Sequence, residues 1–124
     1  MYAFFMGLKS ISPADLNQLM LAEAITVVDV NAPEHWRETH IPGARNLDPE
    51  NFKARDLPAD KADTVVFYCS NFLCRKGPKA ASRAKKLGFA NAMVMSAGLK
   101  GWLDAKLPVE SAAERQADPS SQAA

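Results

Sequence analysis

Two cysteines in 124 residues are too few for a disulfide framework. Long apolar runs are also missing, and no stretch approaches the ~20 residues of a membrane span. The first residues, Met1 to Gly7, have no basic start and no following small-residue cleavage site, so they do not read as a secretory leader. These absences predict a cytoplasmic protein with no membrane partner. The most informative absence is of acid. Residues 64–103 contain no Asp or Glu but hold 7 basic side chains: Arg75, Lys76, Lys79, Arg83, Lys85, Lys86 and Lys100. Residues 1–63 carry 10 acidic against 6 basic side chains, so the formal net charge of +1 hides a strongly positive block around both cysteines. Such a field favours anions, although a solvated basic helix face is the plainer reading. Without interleaved aromatics, and with overall charge near zero, nucleic acid is not an expected partner.

At roughly 100–200 residues per domain, this length means one domain. Apolar residues make up 48 % and charged residues 23 %, so a core can form without metal or disulfides. Ser12-Pro13-Ala14-Asp15 has the N-cap, proline and acidic first turn of a helix start. Ile25–Val30 and Thr64–Tyr68 are β-branched and aromatic runs expected to form buried strands, and Ala92–Met95 a third. Helical turns are expected over 34–39, from Asp48-Pro49 through about Ala54, over 79–87 with Pro78 at the start and Gly88 at the stop, and over 99–105. Strands alternating with helices predict an α/β domain with a mainly parallel sheet of about five strands, covered by helices on both faces. The domain is expected over residues 5–109. Residues 110–124 carry almost no large apolar side chain and are expected to form a disordered tail. Tyr2, Phe4 and Phe5 could add an edge strand or a dimer contact.

Cys69 follows directly on the TVVFY strand, and a helix is expected to begin near Pro78. Ligands of open α/β sheets bind outside the carboxyl ends of the strands. A helix start there offers unpaired N–H groups and a positive partial charge, and Arg75, Lys76 and Lys79 add full charges. Each would favour a thiolate, so Cys69 is the candidate nucleophile, expected to have a pKa below the free value of about 8.5. The alternative is an inert buried cysteine at a strand end.

Several segments, in order, resemble the rhodanese-like domain: Val28-Asp29-Val30 with Glu34, His40-Ile41-Pro42-Gly43-Ala44-Arg45-Asn46-Leu47, Val65 to Cys69, Ala80-Ala81, Leu87-Gly88-Phe89 with Asn91, and Gly98-Leu99 with Trp102. The resemblance, to single-domain sulfurtransferases, implies a Cys69 persulfide that moves sulfane sulfur from an anionic donor such as thiosulfate to a thiol or protein acceptor, without a cofactor. It places the anion-binding loop at Ser70, Asn71, Phe72, Leu73, Cys74, Arg75 and Lys76, with Asp29 and Arg45 in support. Asn31 stands where the family often has Arg, and Ala97 replaces the first glycine of a late pair. The loop is two residues longer than usual, with Cys74 at the place of the usual cation and Arg75 one position later.

The lengthened loop keeps alternatives open. Cys69 and Arg75 also fit the C-x5-R spacing of phosphatases and arsenate reductases of this fold, for which Asp29 or Glu34 would have to be the general acid. A non-catalytic module docking through the Lys79, Arg83, Lys86 face is a third reading. Cys74 could be a resolving thiol, or could pack beneath the loop with Phe72 and Leu73. A zinc site using both cysteines with His35 and His40 is disfavoured, because His40 fits better as a turn-ordering hydrogen bonder.

Overall fold

A computed structural model describes residues 7–112. The elements in chain order are α1 (Pro13–Ala22), β1 (Thr26–Asp29), α2 (Pro33–Glu38), β2 (Arg45–Asn46), a 3-10 turn (Ala54–Asp56), β3 (Val65–Tyr68), α3 (Lys76–Lys86), β4 (Ala92–Val94) and α4 (Gly98–Asp104). Ser12 caps α1 as its sequence demands, its hydroxyl accepting from the Asp15 N–H at 3.1 Å.

The four strands form a parallel sheet in the order β2-β1-β3-β4. The expectation of about five strands is corrected to four: among the described residues, Ser10 adds only a single parallel bridge to Val94. Alternate strand residues feed two cores, as the pleat requires. Val28, Val65, Phe67 and Val94 face Ala80, Ala81 and Ala84 of α3. Val27, Val66 and Tyr68 face Leu16 of α1 and Trp102 of α4. The sheet is thus covered on both sides. Trp102 is fully buried, and its truncation to Ala would cost about 3–5 kcal/mol.

Three local expectations change. Asp48-Pro49 starts one turn, closed by the Phe52 N–H on the Asp48 carbonyl at 3.2 Å, not a helix; the 3-10 turn follows separately. Helix α3 starts at Lys76, three residues before the expected start, with Pro78 inside its first turn. Proline fits there because first-turn N–H groups have no intrahelical partner. The expected tail is tied down at its beginning: Glu110 and His40 exchange backbone hydrogen bonds at 2.9 and 3.0 Å, and Ala112 is buried. Tyr2, Phe4, Phe5 and residues 113–124 lie outside the described residues.

The β3–α3 loop is clamped from one side by α4. The Leu99 and Lys100 N–H groups donate to the Cys69 and Ser70 carbonyls at 2.8 and 2.9 Å. That close contact needs a glycine at 98, where φ is +70° and a Cβ would lie 2.5 Å from the Asn71 nitrogen. Gly98→Ala is therefore expected to cost more than the ~1–2 kcal/mol of left-handed strain alone. Urea unfolding checks this, and an unchanged midpoint would mean that the loop yields freely.

Candidate active site

Cys69 lies at the carboxyl end of β3 and is only 3 % exposed. Its Sγ accepts from the Gly77 N–H at 3.3 Å, across the mouth of the loop. Gly77 sits in the first turn of α3, and a Cβ there would come within 3.5 Å of Cys69 Sγ and 3.3 Å of Val94 Cγ2. The missing side chain lets the helix start approach the thiol. Sequence reasoning stopped at Lys76 and missed this donor, although a glycine just inside a helix start was a signal for close approach.

Cys74 is half-buried and packs against the same core cluster as Cys69. The loop turns back on itself to bring it there, with the Cys74 N–H on the Asn71 carbonyl at 3.1 Å and the Leu73 N–H on Asn71 Oδ1 at 2.9 Å. The Cys69 and Cys74 thiols are hydrogen-bonded to each other. Phe72 and Leu73 do not shield Cys74: they are 72 % and 75 % exposed at the loop tip.

The expected acidity of the two thiols is reversed. Burial pushes Cys69 up to about 12, helped by its hydrogen bond to Cys74 and the charge there; the Gly77 and Ser70 N–H groups oppose this and lose. Burial also raises Cys74, but the Cys69 thiol, the Lys76 and Ser70 N–H groups and the Ser70 hydroxyl outweigh it, so Cys74 falls below the ordinary value. The loop and helix-start donors that the sequence assigns to Cys69 are thus shared between the two sulfurs. Cys74 is the more acidic thiol of the pair.

Asp29 is buried at the end of β1, where its Oδ1 accepts from the Asn31 N–H at 2.7 Å. Burial raises its pKa, with hydrogen bonds from Tyr68 and Asn31 opposing. The Tyr68 hydroxyl also accepts from the Ile41 N–H at 3.0 Å, tying β3 to the His40–Leu47 segment. Asp29 therefore fixes neighbouring backbone, as a supporting residue would. Arg45 is engaged elsewhere, its Nη1 donating to the Asp56 carbonyl at 2.9 Å. His40 is fully buried, bonds to the Trp36 carbonyl and stacks on the Trp36 ring, with Nε2 3.4 Å from Glu110 Oε1. It orders its turn in the expected way.

The basic face of α3 is not all solvated. Arg83 donates twice to the Phe52 carbonyl, at 2.7 and 2.9 Å, with its guanidinium over the Phe52 ring. Lys79 and Lys86 remain at the surface. Beyond the ends of β1 and β2 a recess of about 230 Å³ is lined by Val30, Asn31, Pro33, Leu47, Asp48 and Lys76, among others. No helix among the described residues is long and apolar enough to cross a membrane.

At neutral pH, iodoacetamide is expected to label Cys74 before Cys69 in the reduced protein. Cys74 labelling levels off below the ordinary thiol pKa, whereas Cys69 labelling keeps rising toward pH values of about 12. In Cys74→Ser the Cys69 curve moves to lower pH, since the raising effect of Cys74 is gone, but burial holds it above the ordinary value. Peptide mapping of a labelling time course checks both, and faster labelling of Cys69 in the wild type would show that the amides serve that thiol instead.

The fold has counterparts in known proteins. The Synechocystis protein slr1261, itself uncharacterized, is 28 % identical over 80 % of this chain, which spans 54 % of that protein's length. The thiosulfate sulfurtransferase GlpE of Pseudoalteromonas translucida is 26 % identical, over 78 % of this chain and 90 % of its own. The crystal structure of the BH2092 protein from Bacillus halodurans superposes with a TM-score of 0.77 at 27 % identity, covering 90 % of this chain and 84 % of that one. The rhodanese-like domain family matches residues 12–105, three-quarters of the chain and the whole α/β sheet with its Cys69 loop, and the protein belongs to that family.

Proposed function

We propose that the protein transfers sulfane sulfur from a thiosulfate-like anion to a thiol acceptor through a persulfide on Cys69. The observation that carries this reading is a cysteine at a strand's carboxyl end, held 3.3 Å from a helix-start N–H inside a segment without carboxylates. Relatives that are thiosulfate sulfurtransferases support it.

A thiol whose pKa burial raises needs a base, and Cys74, the more acidic thiol beside it, takes that part. As the Cys69 proton passes to Cys74, Cys69 Sγ attacks the outer sulfur of thiosulfate. The sulfur–sulfur bond of the donor breaks, sulfite leaves with its electron pair, and Cys69 carries a persulfide whose terminal sulfur is anionic. Backbone N–H groups at the start of α3 then stabilise that charge. An acceptor thiolate attacks the terminal sulfur, and Cys74 returns the proton to Cys69 as it leaves. Arg75, in the loop that follows Cys69, supplies a fork for the oxygens of the anion. Ester hydrolysis would need a general acid for the leaving group: residues 64–103 offer none, and Asp29 is buried with its Oδ1 accepting from the Asn31 N–H.

Incubation with thiosulfate followed by intact-mass measurement tests the reading. A gain of one sulfur atom or stoichiometric sulfite release is expected, and both vanish in Cys69→Ser. Absence of both from the wild type overturns it. Arg75→Ala should slow sulfite release about tenfold, the equivalent of losing a charge-assisted hydrogen bond of ~1.5 kcal/mol. Lys85→Ala, further along the helix, should leave the rate near wild type. Equal effects would point to a diffuse field, and added salt should narrow the difference.

A further inference from the structure

We propose that Cys74 is a resolving thiol that discharges the Cys69 persulfide within the chain, releasing its outer sulfur as hydrogen sulfide and leaving a Cys69–Cys74 disulfide. This rests on the persulfide reading and names the fate of the sulfur. Two observations carry it. The turn closed by the Cys74 N–H on the Asn71 carbonyl folds Cys74 back onto the core cluster that contains Cys69, and the two thiols interact there, so a sulfur–sulfur bond of ~2.05 Å needs only their local closure. And Cys74 sits where the Lys76 and Ser70 N–H groups converge, the cradle that an anionic sulfur beside Cys69 would use. The sulfur bound there after transfer and the Cys74 thiolate compete for one place, so departure of the first is matched by return of the second. Cys74 also packs on the core, but not with the adjacent Phe72 and Leu73, which are exposed.

The step balances without an outside oxidant. After losing its proton to solvent, the Cys74 thiolate attacks Cys69 Sγ, the atom it already faces. The bond from Sγ to the outer sulfur breaks, and that sulfur leaves with the electron pair and takes up a proton as hydrosulfide. The dithiol is oxidised by two electrons and the outer sulfur is reduced by two. Attack on the outer sulfur instead would expel Cys69 as a bare thiolate, with Cys74 no longer able to protonate it. A thiol that burial pushes to about 12 is a poor leaving group, whereas hydrosulfide is a better one. Repeated turnover then requires an external dithiol to reduce the disulfide, but a single turnover requires none.

The reduced, desalted protein is mixed with stoichiometric thiosulfate under anaerobic conditions, with no added thiol. Stoichiometric sulfide and sulfite are expected, with the chain lighter by two hydrogens and its Cys69 and Cys74 peptides cross-linked. Cys74→Ser and Cys74→Ala, which lack the base, should release sulfite more slowly than the wild type, yield no sulfide and retain the extra sulfur on Cys69. Four wild-type results overturn the inference: retention of the extra sulfur without sulfide, sulfur mapped to Cys74, a disulfide without matching sulfide, or sulfide without a disulfide. Retention on Cys69 leaves the transfer reading intact. If the wild type and both Cys74 variants neither gain sulfur nor release sulfite, the transfer reading itself has failed and takes this inference with it.

Discussion

The first turn of α3 presses against the end of β3, and the absence of a side chain at residue 77 permits it. With Val94 Cγ2 only 3.3 Å from where a Cβ would sit, an alanine there would need Val94 to give by a few tenths of an ångström. Parallel order puts β4 beside β3, and α3 connects the two, so the same packing that buries Ala80, Ala81 and Ala84 aims the helix start at Cys69. Core and thiol environment are therefore one construction. The sheet fixes the sulfur, the alanines set the height of the helix, and the glycine closes the remaining gap.

A helix start has a limited number of N–H groups without intrahelical partners, and here two sulfurs share them. Gly77 serves Cys69 while Lys76 serves Cys74. Burial sets the two sulfurs apart, and the division of amides adds to it: the buried sulfur at the strand end is raised, and the less buried one is lowered. A loop two residues shorter with a single cysteine would leave all these donors to one sulfur. The longer loop makes the acidity of the site a property of the pair.

The sequence already displays much of this fold. β-branched runs at Thr26–Asp29 and Val65–Tyr68 read directly as buried strands, and Ser12-Pro13 as a helix start, because these signals are local. What escaped depends on partners distant in sequence. Asp48-Pro49 has the chemistry of a helix start, yet the chain turns away after Phe52, whose carbonyl is taken by Arg83 from 31 residues on. The position of Cys69 was legible from the strand that carries it. Its acidity was not, because the number of amides near a helix start can be read from sequence while their allocation between two sulfurs cannot. Nor could charge counting show that Arg83 is already engaged or that Arg45 binds the Asp56 carbonyl.

The Arg83–Phe52 bond has a mechanical consequence. It straps the segment after β2 to the flank of α3, with the guanidinium lying over the Phe52 ring. Asp48 and Pro49, in one wall of the recess, lie a few residues before that strap, and Lys76, in another, is the first residue of the strapped helix. The recess is therefore a vice with its jaws tied together, and its width follows the packing of α3 on the sheet. Phe72 and Leu73, by contrast, stand exposed at the tip of a loop whose base α4 holds.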